Sequence, residues 1–264
     1  MSTSPGAAIA RSIREQREST RAPAIVPYVT AGFPSKQAFR CIIESIAPEA
    51  AAIEIGVPFS DPMADGVTIQ RSSRIALEQG VDLDWILSEA SELRARISVP
   101  LILMGYLNPF LRFGFAALAR GCEAAGVHAL IIPDLPLEES EGIRELLTER
   151  GVGLVQLVSP VTPPARAQRL AAASHGFVYA VTTTGVTGGG IRSAADAHAY
   201  LRQIRERCPI PVCAGFGVRT ATDVASFGQA CDGVIVGSAL AEAIDRGHDP
   251  GQWLRQLRQP PGSA

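Results

Sequence analysis

Ala51-Ala52-Ile53-Glu54-Ile55-Gly56 is an apolar, β-branched run interrupted by one carboxylate. Val57-Pro58-Phe59-Ser60-Asp61-Pro62-Met63-Ala64-Asp65-Gly66 follows it as one of the two most loop-like stretches of the chain. A short apolar run bounded by turn residues reads as a buried strand. Seven more such runs begin near Ile25 (IVPYVT), Leu101 (LILM), Ala129 (ALII), Leu154 (LVQLV), Phe177 (FVYAVT), Val212 (VCAG) and Val234 (VIVG). Between them, helical periodicity covers Lys36–Ile46, Leu83–Ile97, Phe115–Ala125, Glu138–Arg150, Ala165–Ala173 and Ala195–Arg207. Eight strand–helix repeats in 264 residues predict an α/β fold, a single (β/α)8 TIM barrel spanning residues 1–264. A doubly wound open sheet is the alternative, but it would place a Gly-rich fingerprint after the first strand, where Thr30-Ala31-Gly32-Phe33-Pro34 offers only a tight turn.

The amphipathic stretch Ala7–Arg17 predicts an extra helix before the barrel. The two longest strand-to-strand intervals, Ala52 to Leu101 and Phe177 to Val212, predict long loops after strands two and six. Those loops fall at the C-terminal face of a barrel, where function concentrates. They carry Pro58–Gly66 and Thr182–Gly190. One helix is expected around Trp253, with a frayed tail from Gly247 onward.

Composition narrows the partners. Lys+Arg of 24 against Asp+Glu of 26 leaves a net charge of −2, with no block of like charge, so neither nucleic acid nor a membrane surface is an expected ligand. A small-molecule substrate is expected instead. The five cysteines, Cys41, Cys122, Cys208, Cys213 and Cys231, are scattered and form no C-x-x-C pair. They read as small core residues in a reducing compartment, and without an apolar leader or an 18-residue apolar run the expected location is the cytoplasm.

Glu54 is the residue most out of place. No basic residue lies within twelve positions on either side of it, and burying an unpaired carboxylate raises its pKa. General acid–base work is favoured over a hydrogen-bonded core glutamate. Asp65 offers a second carboxylate from the long loop, although Asp61-Pro62 and Asp65-Gly66 are also ordinary turn pairs, and Asp134 at the end of strand four is equally ambiguous. Gly185–Gly190, Gly215-Phe216-Gly217 and Gly237-Ser238 follow strands six, seven and eight. The last two, with a short helix starting near Ala239, predict a phosphate cradle of backbone N–H groups.

Absences narrow the chemistry further. The sole lysine, Lys36, begins the first helix after the first strand, so no strand carries a Schiff-base lysine. His128, His175, His198 and His248 lack ligand spacing, and no metal site is expected; His128 and His175 sit at strand beginnings and read as structural. Chemistry on a phosphorylated substrate would have to run on carboxylates alone.

The segments Pro27-Tyr28-Val29-Thr30-Ala31-Gly32, Ile53–Gly66, Leu103-Met104-Gly105-Tyr106-Leu107-Asn108-Pro109, Pro133-Asp134-Leu135-Pro136, Gly185-Val186-Thr187-Gly188, Gly215-Phe216-Gly217 and Gly237-Ser238 together resemble the tryptophan synthase α subunit family, in order from about residue 24 to about residue 240. The resemblance implies retro-aldol cleavage of indole-3-glycerol phosphate to indole and glyceraldehyde 3-phosphate, with no cofactor or metal in this chain. It implies Glu54 as acid–base catalyst and Asp65 as the acceptor of the indole N–H. Tyr179 would lie beneath the substrate, Thr187 would close loop six onto Asp65, and Gly188, Gly217, Gly237 and Ser238 would hold the phosphate. It further implies an αββα complex with a pyridoxal-phosphate β subunit, contacted near Asp61, Asn108, Pro109 and Pro136. Val67 stands where members commonly carry proline, and Thr182-Thr183-Thr184 also departs from common loop-six sequences; both bear on the partner more than on the chemistry. A stand-alone lyase that releases free indole, or a non-catalytic activator of a β subunit, are the alternatives; intact Glu54 and Asp65 speak against the second.

Overall fold

The computed structural model describes residues 4–63, 65–182, 194–215 and 217–259, and in it each of the eight apolar runs is a strand. These are β1 (Ala24–Thr30), β2 (Ile53–Gly56), β3 (Leu101–Met104), β4 (Val127–Ile131), β5 (Gly153–Val158), β6 (Val178–Val181), β7 (Val212–Gly215) and β8 (Gly233–Val236). All pairs are parallel and in sequence order, and β1 closes on β8 through Ala24↔Gly233 to Pro27↔Val236. The helices are α1 (Ala7–Thr20), α2 (Lys36–Ile46), α3 (Val67–Glu78), α4 (Leu83–Arg94), α5 (Leu107–Phe113), α6 (Phe115–Ala125), α7 (Glu141–Glu149), α8 (Pro164–Ala173), α9 (Ala194–Arg205), α10 (Ala221–Phe227), α11 (Ser238–Asp245) and α12 (Pro250–Leu257). None of the described helices is long and apolar enough to cross a membrane.

The strands read as continuous apolar runs because both of their faces are buried. Alternation sorts the side chains between two cores. Ile53, Ile55, Leu101, Leu103, Val178, Ala180, Val234 and Val236 face outward, against helix residues such as Phe39, Ile43, Ile86 and Leu118. Val26, Ile102, Ile131, Tyr179, Cys213 and Ile235 point inward and fill the barrel. Ile9 and Ile13 of α1, both fully buried, join the inner cluster with Ala24, Ala51 and Phe177 at the strand beginnings, so the extra helix plugs the bottom of the barrel.

The interval after β2 contains more than a loop. It holds all of α3, which the sequence periodicity does not predict because two of the buried positions on that helix are Ser72 and Ser73. The Ser72 hydroxyl lies 2.6 Å from the Thr30 hydroxyl and donates to the Ile69 carbonyl at 2.8 Å, so the polar groups are satisfied where a periodic helix would show leucine. The short helices α5 and α10 are likewise additions to the sequence reading. The Glu138–Arg150 pattern begins instead with a 3-10 turn at Leu137–Glu139.

The tail is held down farther than expected. Leu254 and Leu257 of α12 are buried in the outer core, and Gly251 N–H donates to Ser45 Oγ of α2 at 3.1 Å. Glu49, nearly buried, accepts from Arg255 and Arg258 of the tail, each at 2.8 Å, while its backbone carbonyl accepts from Gln16 of α1. Expected fraying from Gly247 is therefore corrected as far as Gln259. Removing the acid releases two arginines that water can reach, so Glu49→Ala should cost about 1–2 kcal/mol in urea denaturation. A loss below a few tenths of a kcal/mol would show that the tail is docked by its leucines alone.

Candidate active site

Glu54 points into the barrel from the middle of β2, in register with Tyr28 on β1 and Ile102 on β3. It is wholly buried, and neither carboxyl oxygen has a hydrogen-bond partner among the described residues. Desolvation raises its pKa to about 8, because the charged form would lose water and gain nothing in exchange. At neutral pH this side chain is mainly the protonated acid.

Two tyrosines wall this group, and each lies against a glycine. A Cβ on Gly56 would stand 2.0 Å from the Tyr28 hydroxyl, and one on Gly215 would stand 2.2 Å from the Tyr179 ring. Only the missing side chains at the ends of β2 and β7 let both rings fold inward. Burial, reinforced by the negative potential of Asp65 and Glu54, raises both phenols well above their ordinary range. They remain neutral hydrogen-bond donors.

Asp65 comes from the loop after β2. Its backbone N–H reaches Pro62 O at 3.3 Å, and its carbonyl accepts from Gln70 of α3 at 2.9 Å, so the loop is anchored to the helix behind it. Desolvation raises the Asp65 carboxyl to about 6, and a hydrogen bond from Tyr106 opposes the rise. The Tyr106 ring stacks on Phe59 with centroids 5.2 Å apart. The structure thus brings Asp65, Tyr28, Tyr179, Gly217, Gly237 and Ser238 to one cavity over the C-terminal ends of the strands; Glu54 is not among the residues that line it and lies beside Tyr28 on the neighbouring strand. Met104, Ile69 and Ile235 supply apolar wall, and Arg219 stands at the same rim.

The cavity's far end has the form of an anion site. Ser238 is the first residue of α11, and the opening N–H groups of a helix have no internal acceptor. Gly217 has φ of 88°, the left-handed region, in the turn after β7. Thr187 and Gly188, predicted for loop six, lie outside the described residues, as do Ala64, Thr183 and Phe216. Thr182, where that loop begins, donates from its hydroxyl to Gly215 O at 2.8 Å.

The remaining candidates have structural places. Asp134 accepts from Leu107 N–H at 2.8 Å and so holds the start of α5. Asp61 accepts from the adjacent Ser60 hydroxyl. His128 and His175 accept at Nδ1 from Leu101 and Leu154 N–H at the barrel bottom, and burial lowers both, in keeping with neutral rings. Lys36 stands over the Trp85 ring, outside the cavity. Tyr28, Tyr106 and Arg219 were not singled out from the sequence as site residues. The sequence signal for the first was Gly56 two positions after Glu54.

The family description "Tryptophan synthase alpha chain" matches residues 14–260. A tryptophan synthase alpha chain from Nitratidesulfovibrio vulgaris is 41% identical over 246 residues, covering 93% of this chain and 95% of the relative. Among solved structures, tryptophan synthase subunit alpha from Legionella pneumophila superposes with a TM-score of 0.85 at 30% identity, covering 96% of this chain and 97% of that one. A chain of the tryptophan synthase complex from Pyrococcus furiosus gives 0.79 at 33% identity, with 89% and 96% covered.

Burial of Glu54 also has a thermodynamic signature. A carboxyl whose pKa is raised on folding binds its proton more tightly in the folded chain, so its contribution is fully present at low pH and is lost as pH rises through about 8. Between about pH 5 and pH 9 the parent chain should lose stability relative to Glu54→Gln, by on the order of a few kcal/mol. Denaturant melts of both proteins at the two pH values measure it; a difference independent of pH would mean that Glu54 is solvated.

Proposed function

The chain belongs to the tryptophan synthase alpha chain family, and from that premise we propose that its barrel mouth cleaves indole-3-glycerol phosphate into indole and glyceraldehyde 3-phosphate, a lyase step of tryptophan biosynthesis. The observation that carries the reading is the pairing of two carboxyl groups in unlike surroundings. Glu54, unpaired and sealed, is raised to about 8, while Asp65, hydrogen-bonded by Tyr106, is raised only to about 6. At neutral pH the first is an acid and the second an anion, the division that acid–base chemistry requires.

Indole is a poor carbanion leaving group, so its C3 must first be protonated. Glu54 supplies that proton, and Asp65 accepts a hydrogen bond from the ring N–H and offsets the positive charge of the indolenine. Glu54, now a carboxylate, takes the proton of the hydroxyl on the adjoining glycerol carbon. The O–H electrons form the aldehyde, the carbon–carbon bond breaks, and its pair restores the indole ring. Protons and electrons balance without metal, imine or redox cofactor. Tyr179 supports the ring, and Gly217, Gly237 and Ser238, with Gly188, receive the phosphate; Thr187 closes loop six onto Asp65.

The chain works with a β subunit that holds pyridoxal phosphate, in an αββα assembly in the cytoplasm. Met63, Val67 and Leu111 support a partner: they are large, apolar and exposed, and they lie in the two segments that also carry Asp61 and Asn108. Of the five cysteines, Cys122, Cys213 and Cys231 are buried as small core residues, whereas Cys208 is half-buried and Cys41 exposed.

Glu54→Gln and Asp65→Asn should each lower indole release by roughly a hundredfold or more, while glycerol 3-phosphate still binds. In the parent chain, turnover should fall above about pH 8 as Glu54 ionises and below about pH 6 as Asp65 is protonated. Near-normal indole release by Glu54→Gln would remove the acid–base assignment. Adding a cognate β subunit should speed indole release at least about tenfold, within the range of ordinary allosteric coupling. Fast turnover alone, unchanged on addition, would identify a stand-alone lyase.

A further inference from the structure

Arg219, with its side chain about half exposed, lies at the cavity rim in the turn after β7, two residues after Gly217, and lines the same space as Gly237 and Ser238. Its backbone is fixed. Val218 is buried, and the N–H groups of Arg219 and Thr220 both donate to Asp223, at 2.9 and 2.8 Å, within the capping box that starts α10. With its own N–H engaged, Arg219 can meet a ligand only through its side chain.

That side chain pairs with Glu242 of α11, the helix whose first residue is Ser238. Glu242 also meets Arg246 at 3.7 Å and the Thr68 hydroxyl at 3.4 Å. Arg219 and Arg246 share the Glu242 carboxylate, Arg71 pairs with Asp245, and Asp223 sets a third carboxylate beside the Arg219 backbone, so the cluster is balanced in charge while Arg219 is not locked into an exclusive pair. Glu242 engages Nη2 of Arg219, whereas a guanidinium carries five N–H donors in a planar fork suited to phosphate. The ion pair and a phosphoryl contact are compatible.

Resting on the lyase reading above, we propose that Arg219 is a phosphate-binding side chain of this site, selecting a dianionic phosphate monoester over an uncharged polyol. Among the described residues that line the cavity it is the one cationic side chain. It complements backbone amides, which orient the phosphoryl oxygens but bring only partial charge. It shares the cavity with Asp65 and not with Glu54, the group that moves protons, so it acts on affinity and not on the chemical step.

The test uses the full chain, with glycerol 3-phosphate and indole as separate probes and indole-3-glycerol phosphate as substrate. Arg219→Ala should weaken glycerol 3-phosphate binding and raise KM about tenfold or more, with kcat within about twofold and indole binding unchanged. Arg219→Lys should recover most of the loss. Glu242→Gln breaks the same ion pair but keeps the cation, so it should bind glycerol 3-phosphate no more weakly than the parent. Parent-like phosphate affinity in Arg219→Ala would overturn the proposal, and so would an equal loss in Glu242→Gln, since Arg219 would then serve only to tie its turn to α11. A parent chain that binds glycerol 3-phosphate but releases no indole would defeat the lyase reading and leave the Arg219 comparison to be decided on binding.

Discussion

A carboxyl group without a partner, sealed inside a closed barrel, is the constraint on which the rest of this structure turns. Glu54 could be solvated or paired at little cost on the surface; inside, loss of water disfavours its charged form and no hydrogen bond among the described residues offsets that loss. Keeping water away takes closure on all sides. α1 plugs the barrel floor with Ile9 and Ile13, and Tyr28 and Tyr179 wall the interior above. Destabilisation of the folded chain at high pH and the raised pKa of the acid come from the same burial.

The tyrosines enter only because the strand ends yield to them. Gly56 and Gly215 have no side chain where the Tyr28 hydroxyl and the Tyr179 ring lie, and these four residues come from four different strands. Precision here belongs to strands, whose positions are set by parallel pairing on both sides and by packing of the outer face against helices. Asp65 belongs to a loop, yet that loop is tied to α3 through Gln70 and to the β3 end through Tyr106. The acid sits on the rigid scaffold and the second carboxyl on an anchored loop.

The two ends of the cavity are also mechanically joined. Arg71 of α3 makes two hydrogen bonds to Asp245 of α11, at 2.7 and 3.0 Å, and Thr68 reaches Glu242 on the same helix. α3 follows the loop that carries Asp65, and α11 starts at Ser238, in the proposed phosphate cradle. Side-chain contacts between these helices therefore span the region where the indole and phosphate ends of the proposed substrate would lie.

Much of this was legible in the sequence. Eight buried strands follow from eight short apolar runs, α2 and α6 occupy the predicted bounds, and Glu54 stands out because an acid in such a run has nowhere local to find a partner. α3 stayed hidden because serines fill buried positions of its face and satisfy their hydroxyls against β1, a contact no periodicity reports. By itself the sequence determined the order of strands and helices, the two carboxyl groups and the glycine turns, since these depend on local pattern and residue type. Only the tertiary structure decided which acid is raised farther, that Tyr28 stands beside it, and that Arg219 shares a cavity with Gly217, Gly237 and Ser238, because an electrostatic environment is made by atoms that meet from distant parts of the chain.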